Sequence, residues 1–263
     1  MPRLVATDLD GTLLGSDGTV PQRNVEAVAR LESAGVPVVI VTGRPPRWLD
    51  AIADQLEHRG IAVCANGALI WDLRTGTMVN SDPLDPSVLT EVTRALRAEL
   101  PEATFAVEYG ESFVHESAYP VRWAGRNPQV SVRELAEVLA EPAVKLLVRH
   151  PSHPSDDLLA IGSKILGDTV TVTHSSYDGL LEISAAGVTK ASGLAKVAAT
   201  RGVEARDVLA FGDMPNDLPM LAWAGRSVAV SNAHPSVLAA ADEVTGSNDE
   251  AGVATYLERW FGT

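Results

Sequence analysis

Short apolar runs alternate with amphipathic stretches over the first eighty residues. Leu4–Thr7, Val38–Val41 and Ile61–Ala65 are runs of four or five mostly apolar positions. Such runs, without a polar face, predict strands buried on both sides. Between the first two, Pro21–Ala34 carries Val25, Val28, Ala29 and Leu31 near helical spacing and is followed by Gly35. Pro45–His58 opens on proline and is closed by Gly60, again a helix pattern with its start and stop residues. Strand, helix, strand, helix, strand at these lengths predicts parallel βαβ units in a doubly wound sheet.

The rhythm then changes. Ala68–Asp72 and Thr77–Asn80 flank Arg74-Thr75-Gly76, a hairpin pattern. Asp85-Pro86 followed by Val88, Leu89, Val92 and Leu96 predicts a capped helix. Phe105–Val107 and Ser112–His115 read as strands, and Ser131-Val132-Arg133-Glu134 as a capping box that opens a helix to about Leu139. Val144–Val148, Val170–Thr173 and Leu180–Ile183 read as strands, with a helix over Asp156–Leu166. From Thr189 the first rhythm returns: helix Lys190–Thr200, strand Val208–Phe211, helix Asp217–Ala224, strand Ser227–Val230, helix Pro235–Ala241 and a last helix over Glu250–Phe261. The expected fold is therefore α/β. A doubly wound, Rossmann-like parallel-sheet core comes from residues 1–82 and 186–263, and an α+β domain is inserted at 83–185.

Composition narrows the function classes. No apolar run approaches the roughly 20 residues that span a bilayer, and the start of the chain lacks a charged and then apolar leader pattern. The single cysteine, Cys64, cannot form a disulfide within the chain, and a reducing, cytoplasmic setting is the simplest expectation. Asp and Glu outnumber Lys and Arg by 34 to 21, a formal charge of −13, which opposes a polyanionic partner such as nucleic acid. An anionic small molecule would need local positive charge to offset that field. Oligomeric state is not written in the sequence; a monomer is the default.

In open α/β sheets, ligands bind beyond the carboxyl ends of the strands. Four polar segments fall at or near such ends: Asp8-Leu9-Asp10-Gly11-Thr12-Leu13, Thr42-Gly43-Arg44, Gly187-Val188-Thr189-Lys190 and Gly212-Asp213-Met214-Pro215-Asn216-Asp217. Taken singly, the first three are ordinary turns or helix starts, whereas in the fourth a helix cap explains one acidic residue but hardly all three polar ones. Together they bring several carboxylates to one edge, where they would repel one another and any phosphate. A hard divalent cation with oxygen ligands, Mg²⁺ above all, resolves both conflicts. Thr42 offers a hydroxyl, Gly43 an unhindered N–H and Lys190 a positive charge, all suited to phosphate oxygens. Arg44, next in the chain, is a candidate for the substrate side.

These four segments resemble the four motifs of the haloacid dehalogenase superfamily, and the likeness covers nearly the whole core. Asn66-Gly67-Ala68, Ser231-Asn232-Ala233, Ala241-Asp242, Ser247-Asn248 and the large insertion are similar to the Cof-like hydrolase group with a type-IIB cap. Ser231 and Ala191 stand where glycine is common. The resemblance implies a phosphatase acting on a small phosphoester such as a sugar phosphate, nucleotide or phosphorylated cofactor. It implies Asp8 as the nucleophile that becomes an aspartyl-phosphate, and Asp10 as acid and then base. It implies Thr42, Gly43 and Lys190 on the phosphoryl group, with Arg44, Asn66 and Asn216 on the substrate side, Asn216 also helping Asp217 to steady the metal shell and Lys190. The metal shell would draw on Asp8, the Asp10 backbone carbonyl, Asp213 and Asp217.

The resemblance also makes the insertion a cap that selects the leaving group, with Tyr109, Glu116, Tyr119, Arg122, Trp123, Arg126, Lys145, Arg149 and Tyr177 as candidates. His150 and His153 have a spacing that suits a metal, but the flanking prolines make a solvated turn and no further ligands stand near in sequence. Three other functions use similar residues. A sugar phosphomutase would return the phosphoryl group to its substrate, a signalling receiver would store it, and a sugar-phosphate-binding protein would need no nucleophile. Receivers are usually about half this length, and a dehalogenase would leave Asp10 and the metal shell without a task.

Overall fold

The computed structural model describes residues 1–57, 60–121 and 130–260. The chain divides into two compact units, Met1–Asn80 with the chain from Thr189 onward, and Ser81–Val188. In chain order the first segment holds β1 (Leu4–Thr7), α1 (Gln22–Ser33), β2 (Val38–Val41), α2 (Asp50–Gln55), β3 (Ile61–Cys64), β4 (Leu69–Asp72) and β5 (Thr77–Ser81). The middle segment holds α3 (Pro86–Glu99), β6 (Thr104–Glu108), β7 (Phe113–His115), β8 (Val130–Val132), α4 (Leu135–Val138), β9 (Lys145–Arg149), α5 (Ser155–Leu166), β10 (Val170–Thr173) and β11 (Leu180–Ala185). The last segment holds α6 (Lys190–Thr200), β12 (Val208–Gly212), α7 (Leu218–Trp223), β13 (Arg226–Val230), α8 (Pro235–Ala240), β14 (Glu243–Thr245) and α9 (Gly252–Leu257).

The core unit is built on one sheet in the order β14-β13-β12-β1-β2-β3-β4-β5. Its ladders from β14 to β3 are parallel, and β4 turns back antiparallel on β3. The reversal of order on either side of β1 makes the doubly wound sheet that the alternating pattern predicts. The central strands are buried along their whole length, which is why they carry apolar residues at consecutive positions. One face is covered by Leu194, Val197 and Ala198 of α6, Met220 and Leu221 of α7, and Val237 of α8. On the other, Phe211 of β12 meets Tyr256 of α9 edge to face.

The unit Ser81–Val188 has its own sheet, in the order β10-β11-β9-β6-β7-β8. All its ladders are antiparallel except β7 with β8. Residues alternate by face. Phe105, Val107, Leu146, Val148, Leu181 and Ile183 pack against Leu89, Val92 and Leu96 of α3 and Leu158 and Leu166 of α5. The intervening positions form the opposite face, which is more polar and includes Lys145, Arg149 and Glu182.

Four local expectations change, the first at α3, where Asp85 stands at the start but makes no side-chain cap bond. The capping box at Ser131–Glu134 does not form: Val130–Val132 pairs with Phe113–His115, so the sheet ladder takes the backbone a helix start would need. The helix follows only at Leu135–Val138, and Glu134 at its start makes no side-chain cap bond. The stretch Pro45–His58 is not one helix. A tight turn at Pro46–Trp48 precedes α2, and His58 lies outside the described residues. A short edge strand, β14, was not expected from the sequence, because Glu243-Val244-Thr245 has a single strongly apolar residue. Among the described residues no helix is long and apolar enough to cross a membrane.

Candidate active site

β12, β1 and β2 lie side by side and run parallel, so the residues that follow them share one edge of the sheet. Asp8 follows β1, Thr42 follows β2 and Asp213 follows β12. Lys190 opens α6, whose start is fixed by a reciprocal cap: Ser192 N donates to Thr189 Oγ1 and Thr189 N donates to Ser192 Oγ. Beyond Asp8 the chain bends through Gly11, which has φ +77°. A Cβ there would lie 2.4 Å from Asp213 Oδ2, so glycine alone lets this turn approach the Asp213 carboxylate.

Four charged side chains meet at this edge. Lys190 Nζ donates to Asp8 Oδ1 and to Asp217 Oδ1, each at 2.7 Å, and all three groups are buried. Asp217 Oδ2 accepts from the backbone N–H groups of Asp213 and Met214, both at 3.0 Å, which ties the loop after β12 to the lysine. Thr12 Oγ1 donates to Asp213 Oδ1 at 2.9 Å, and the Asp213 carbonyl accepts from His234 N at 2.7 Å. Asn232 Nδ2 donates to the Gly11 carbonyl at 2.8 Å. Asp8, Asp213 and Asp217 each present a carboxylate oxygen within 4.8 Å of the others.

Three carboxylates against one ammonium leave an excess of negative charge in a buried place. The proton affinities respond accordingly. Burial pushes Asp8 up to about 7; Lys190 opposes the rise, while Asp217 and Asp10 add to it. Burial pushes Asp213 up to about 9, with Asp8 and Asp217 adding and the Thr12 hydrogen bond opposing. Burial would lower Lys190, but Asp217 and Asp8 outweigh it and hold the ammonium above its ordinary range. A buried set of oxygen donors short of positive charge fits a hard cation, so Asp8, Asp213 and Asp217 could hold a metal ion.

Asp10 stands apart from that group. Its side chain is 58% exposed and is gripped by Arg44, whose Nε and terminal nitrogen donate to its two oxygens at 2.8 and 2.5 Å. The Arg44 guanidinium is thus engaged by Asp10 rather than standing open to a ligand. Desolvation works against its charge, but the bond to Asp10 prevails and raises its proton affinity. Thr42 is fully buried, and its Oγ1 accepts from Arg44 N at 3.1 Å. Gly43 lies between them, half-buried. Asn216 Nδ2 donates to Asn66 Oδ1 at 3.0 Å, so these two expected substrate residues bond each other. Sequence reasoning assigned no role to Thr12 or His234. The signal for Thr12 was its place in the first acidic segment.

The candidates in the inserted unit divide by role. Tyr109 donates to the Val138 carbonyl, and Glu116 accepts from Arg97 and from Phe105 N, so both brace the unit's own fold. Lys145 pairs with Glu182 at 2.5 Å in a buried ion pair, and Arg149 pairs with Asp178 at 3.1 Å. Tyr119 is buried beside Phe113 and His115, while Tyr177 is exposed. Arg122, Trp123 and Arg126 lie outside the described residues. The His150 and His153 rings sit 4.5 Å apart. Among the described residues they join no group of potential metal ligands.

A doubly wound sheet with this acidic edge and an inserted α+β unit defines a class of hydrolase, and the comparisons agree. The chain matches the model of the haloacid dehalogenase-like hydrolases over residues 5–257, and it belongs to that family. It is of the Cof-like type, and the enzyme class is phosphoric monoester hydrolase. It is 32% identical to the 5-amino-6-(5-phospho-D-ribitylamino)uracil phosphatase YitU of Bacillus subtilis, over 99% of this chain and 98% of that protein. It is 28% identical to the pyridoxal phosphate phosphatase YbhA of Escherichia coli, over 97% of each. Its fold matches the subclass IIB sugar phosphatase BT4131 with a TM-score of 0.83 at 19% identity, covering 98% of both chains.

Proposed function

We propose that this chain is a Mg²⁺-dependent phosphatase that hydrolyses a small organic phosphoester through a phosphoryl group carried on Asp8. The observation that carries this reading is the division of labour between Asp8 and Asp10. Asp8 is buried, bonded by Lys190 and set among carboxylates, whereas Asp10 is exposed and aimed by Arg44. A buried carboxylate held beside an ammonium suits nucleophilic attack at phosphorus, and an outward, oriented carboxyl group suits proton exchange with a leaving group.

In the first step an Asp8 carboxylate oxygen bonds to phosphorus as the ester P–O bond breaks. Asp10 enters this step protonated, with Arg44 turned from it to the phosphoester; the departing alkoxide takes that proton and leaves as an alcohol. In the second step Asp10, now ionised, takes a proton from water as the water oxygen bonds to phosphorus. The bond between phosphorus and Asp8 breaks, which restores the carboxylate and releases inorganic phosphate. Lys190 keeps charge balance beside Asp8 throughout, and Thr42, Gly43 and Asn216 hold the phosphoryl oxygens. Bound by Asp8, Asp213 and the Asp10 carbonyl, with Asp217 steadying the shell, Mg²⁺ would neutralise carboxylate and phosphoryl charge and so let the two anions approach.

Relatives named for a ribitylaminouracil phosphate and for pyridoxal phosphate support a substrate of that size: a sugar phosphate, nucleotide or phosphorylated cofactor. Leaving-group selection we assign to the unit Ser81–Val188, where Lys145, Arg149 and Tyr119 are residues to test. The experiment is phosphate release from a panel of such esters, with and without Mg²⁺, by the wild type and Asp8→Asn. Mg²⁺-dependent release that Asp8→Asn abolishes is expected. Release that persists in Asp8→Asn removes Asp8 from the reaction, and isomerised sugar phosphate without free phosphate replaces the hydrolase with a mutase.

A further inference from the structure

Three loops that handle the phosphoryl group in the reading above are tied together by a single turn, Ala65-Asn66-Gly67, directly after β3. All three residues have positive φ, +49°, +57° and +104°. Only the third is a glycine, so Ala65 and Asn66 hold a conformation that side chains disfavour, asparagine less than most. The turn spends that strain on contacts in three directions. Ala65 N donates to the Arg44 carbonyl at 3.0 Å and Asn66 N to the Thr42 carbonyl at 3.1 Å, which fixes the loop after β2. Gly67 is pressed against the residue before Lys190: a Cβ on it would fall 2.0 Å from the Thr189 carbonyl oxygen. Asn66 Oδ1 accepts from Asn216 Nδ2 at 3.0 Å, next in sequence to the Asp217 that holds Lys190.

The asparagine pair is poorly explained by stability. Each residue keeps its other amide atom, Asn66 Nδ2 and Asn216 Oδ1, buried with no partner among the described residues. Turning both amides over reverses the bond and leaves Asn66 Oδ1 and Asn216 Nδ2 unmet instead, again one acceptor and one donor. A buried donor and a buried acceptor left unpaired, on a strained backbone, oppose folding. What the bond does supply is a fixed orientation for Asn216, reached across the sheet from the loop that also sets Thr42.

We infer that Asn66 is a positioning residue: its side chain orients Asn216 toward the phosphoryl group and locks the loop after β12 to the turn after β3, whose backbone in turn holds the loop after β2. It acts through Asn216 and needs no contact with substrate. This role rests on the phosphatase reading for its effect on rate, but the bond itself is testable without turnover.

The variant is Asn66→Gly in the full chain, because glycine keeps the positive φ and removes only the side chain. Its unfolding midpoint is expected to equal or exceed that of the wild type, while kcat/KM falls at least tenfold. Asn216→Ala should lower kcat/KM comparably, and the double variant should be no worse than Asn216→Ala alone. In ¹⁵N spectra of the substrate-free protein, the Asn216 side-chain amide protons should exchange with water faster in Asn66→Gly. If that variant fails to fold, Asn216→Ala approaches the same bond from its other end and should speed exchange at the Asn66 amide. Effects that multiply in the double variant, kcat/KM within twofold of wild type, or unchanged amide exchange would each overturn the inference. A wild type that releases no phosphate, with Asn216 exchange still dependent on Asn66, would instead count against the function and leave the bond standing.

Discussion

Replacing Lys190 by methionine isolates what one buried cation does for this core. The ammonium is fully buried and makes two hydrogen bonds of 2.7 Å to carboxylates that are themselves buried. Hydrogen bonds to charged groups contribute about 1.5–3 kcal/mol each, and breaking a buried ion pair from one side costs about 3–5 kcal/mol. At pH 8 without metal, Lys190→Met should therefore destabilise the core unit by about 3–5 kcal/mol. With a urea slope of about 2 kcal/mol per M, the midpoint falls by roughly 1.5–2.5 M. Tryptophan fluorescence is a suitable monitor, since Trp48, Trp71, Trp223 and Trp260 belong to the core unit and only Trp123 to the other.

Acid should shrink this difference. Lys190 has a raised proton affinity, so it is protonated both folded and unfolded below the ordinary lysine value, and its own titration adds no pH dependence between pH 5 and 8. Asp8 and Asp213 are raised to about 7 and about 9, so the folded core gives up stability as pH climbs from about 4 through those values. Without the lysine, the carboxylates are raised further and the loss with rising pH is steeper. At pH 5 Asp8 and Asp213 are protonated in either protein, and the gap between the two midpoints should narrow. A midpoint difference below about 0.5 M at pH 8, or a gap that widens at pH 5, refutes the assignment of Lys190 as the counter-charge of this cluster.

The same carboxylates set the response to metal. Mg²⁺ should raise the thermal midpoint of the wild type more at pH 8 than at pH 6, and calorimetry should record proton release on binding, because Asp8 and Asp213 must ionise to ligate. Equal shifts at both pH values would mean these groups are already ionised without it. Gly67→Ala should cost far more than Gly18→Ala, although both have positive φ. The first places a Cβ 2.0 Å from a backbone carbonyl oxygen and the second has nothing within 4 Å. About 1 kcal/mol is expected at residue 18 and several at residue 67, or loss of soluble protein. Comparable unfolding midpoints for the two would show that the turn after β3 can yield.

Much of this architecture is legible in the chain because buried parallel strands leave little freedom of composition. Leu4–Thr7 and Val38–Val41 are read to the residue, as is the helix Lys190–Thr200 with its Thr189 start. Where sequence reading fails, tertiary pairing has overridden a local signal. Ser131–Glu134 has the letters of a helix cap, yet β7 recruits its first residues as a strand. Asp85 stands at the start of α3 without making a side-chain cap bond. The acidic residues of the site are visible as types at strand ends, but their partners are not. Nothing local shows that Arg44 grips Asp10, or that Asn66 reaches Asn216 across 150 positions of chain. Those contacts depend on how neighbouring strand ends lie side by side, and only the folded sheet fixes that.

The strand order also has a consequence for synthesis. β1, at the middle of the large sheet, pairs on one side with β12, whose residues begin at Val208. While the chain leaves the ribosome, that edge of β1 has no partner until more than two hundred residues have been made. At roughly 5–20 residues per second, the delay between Asn80 and Val208 is of the order of ten seconds. During that interval an apolar strand edge is exposed, while Ser81–Val188, with a hydrophobic core of its own, can already collapse. The nascent chain therefore presents a finished middle before a finished beginning, and its first eighty residues are the segment that a chaperone would have most reason to shield.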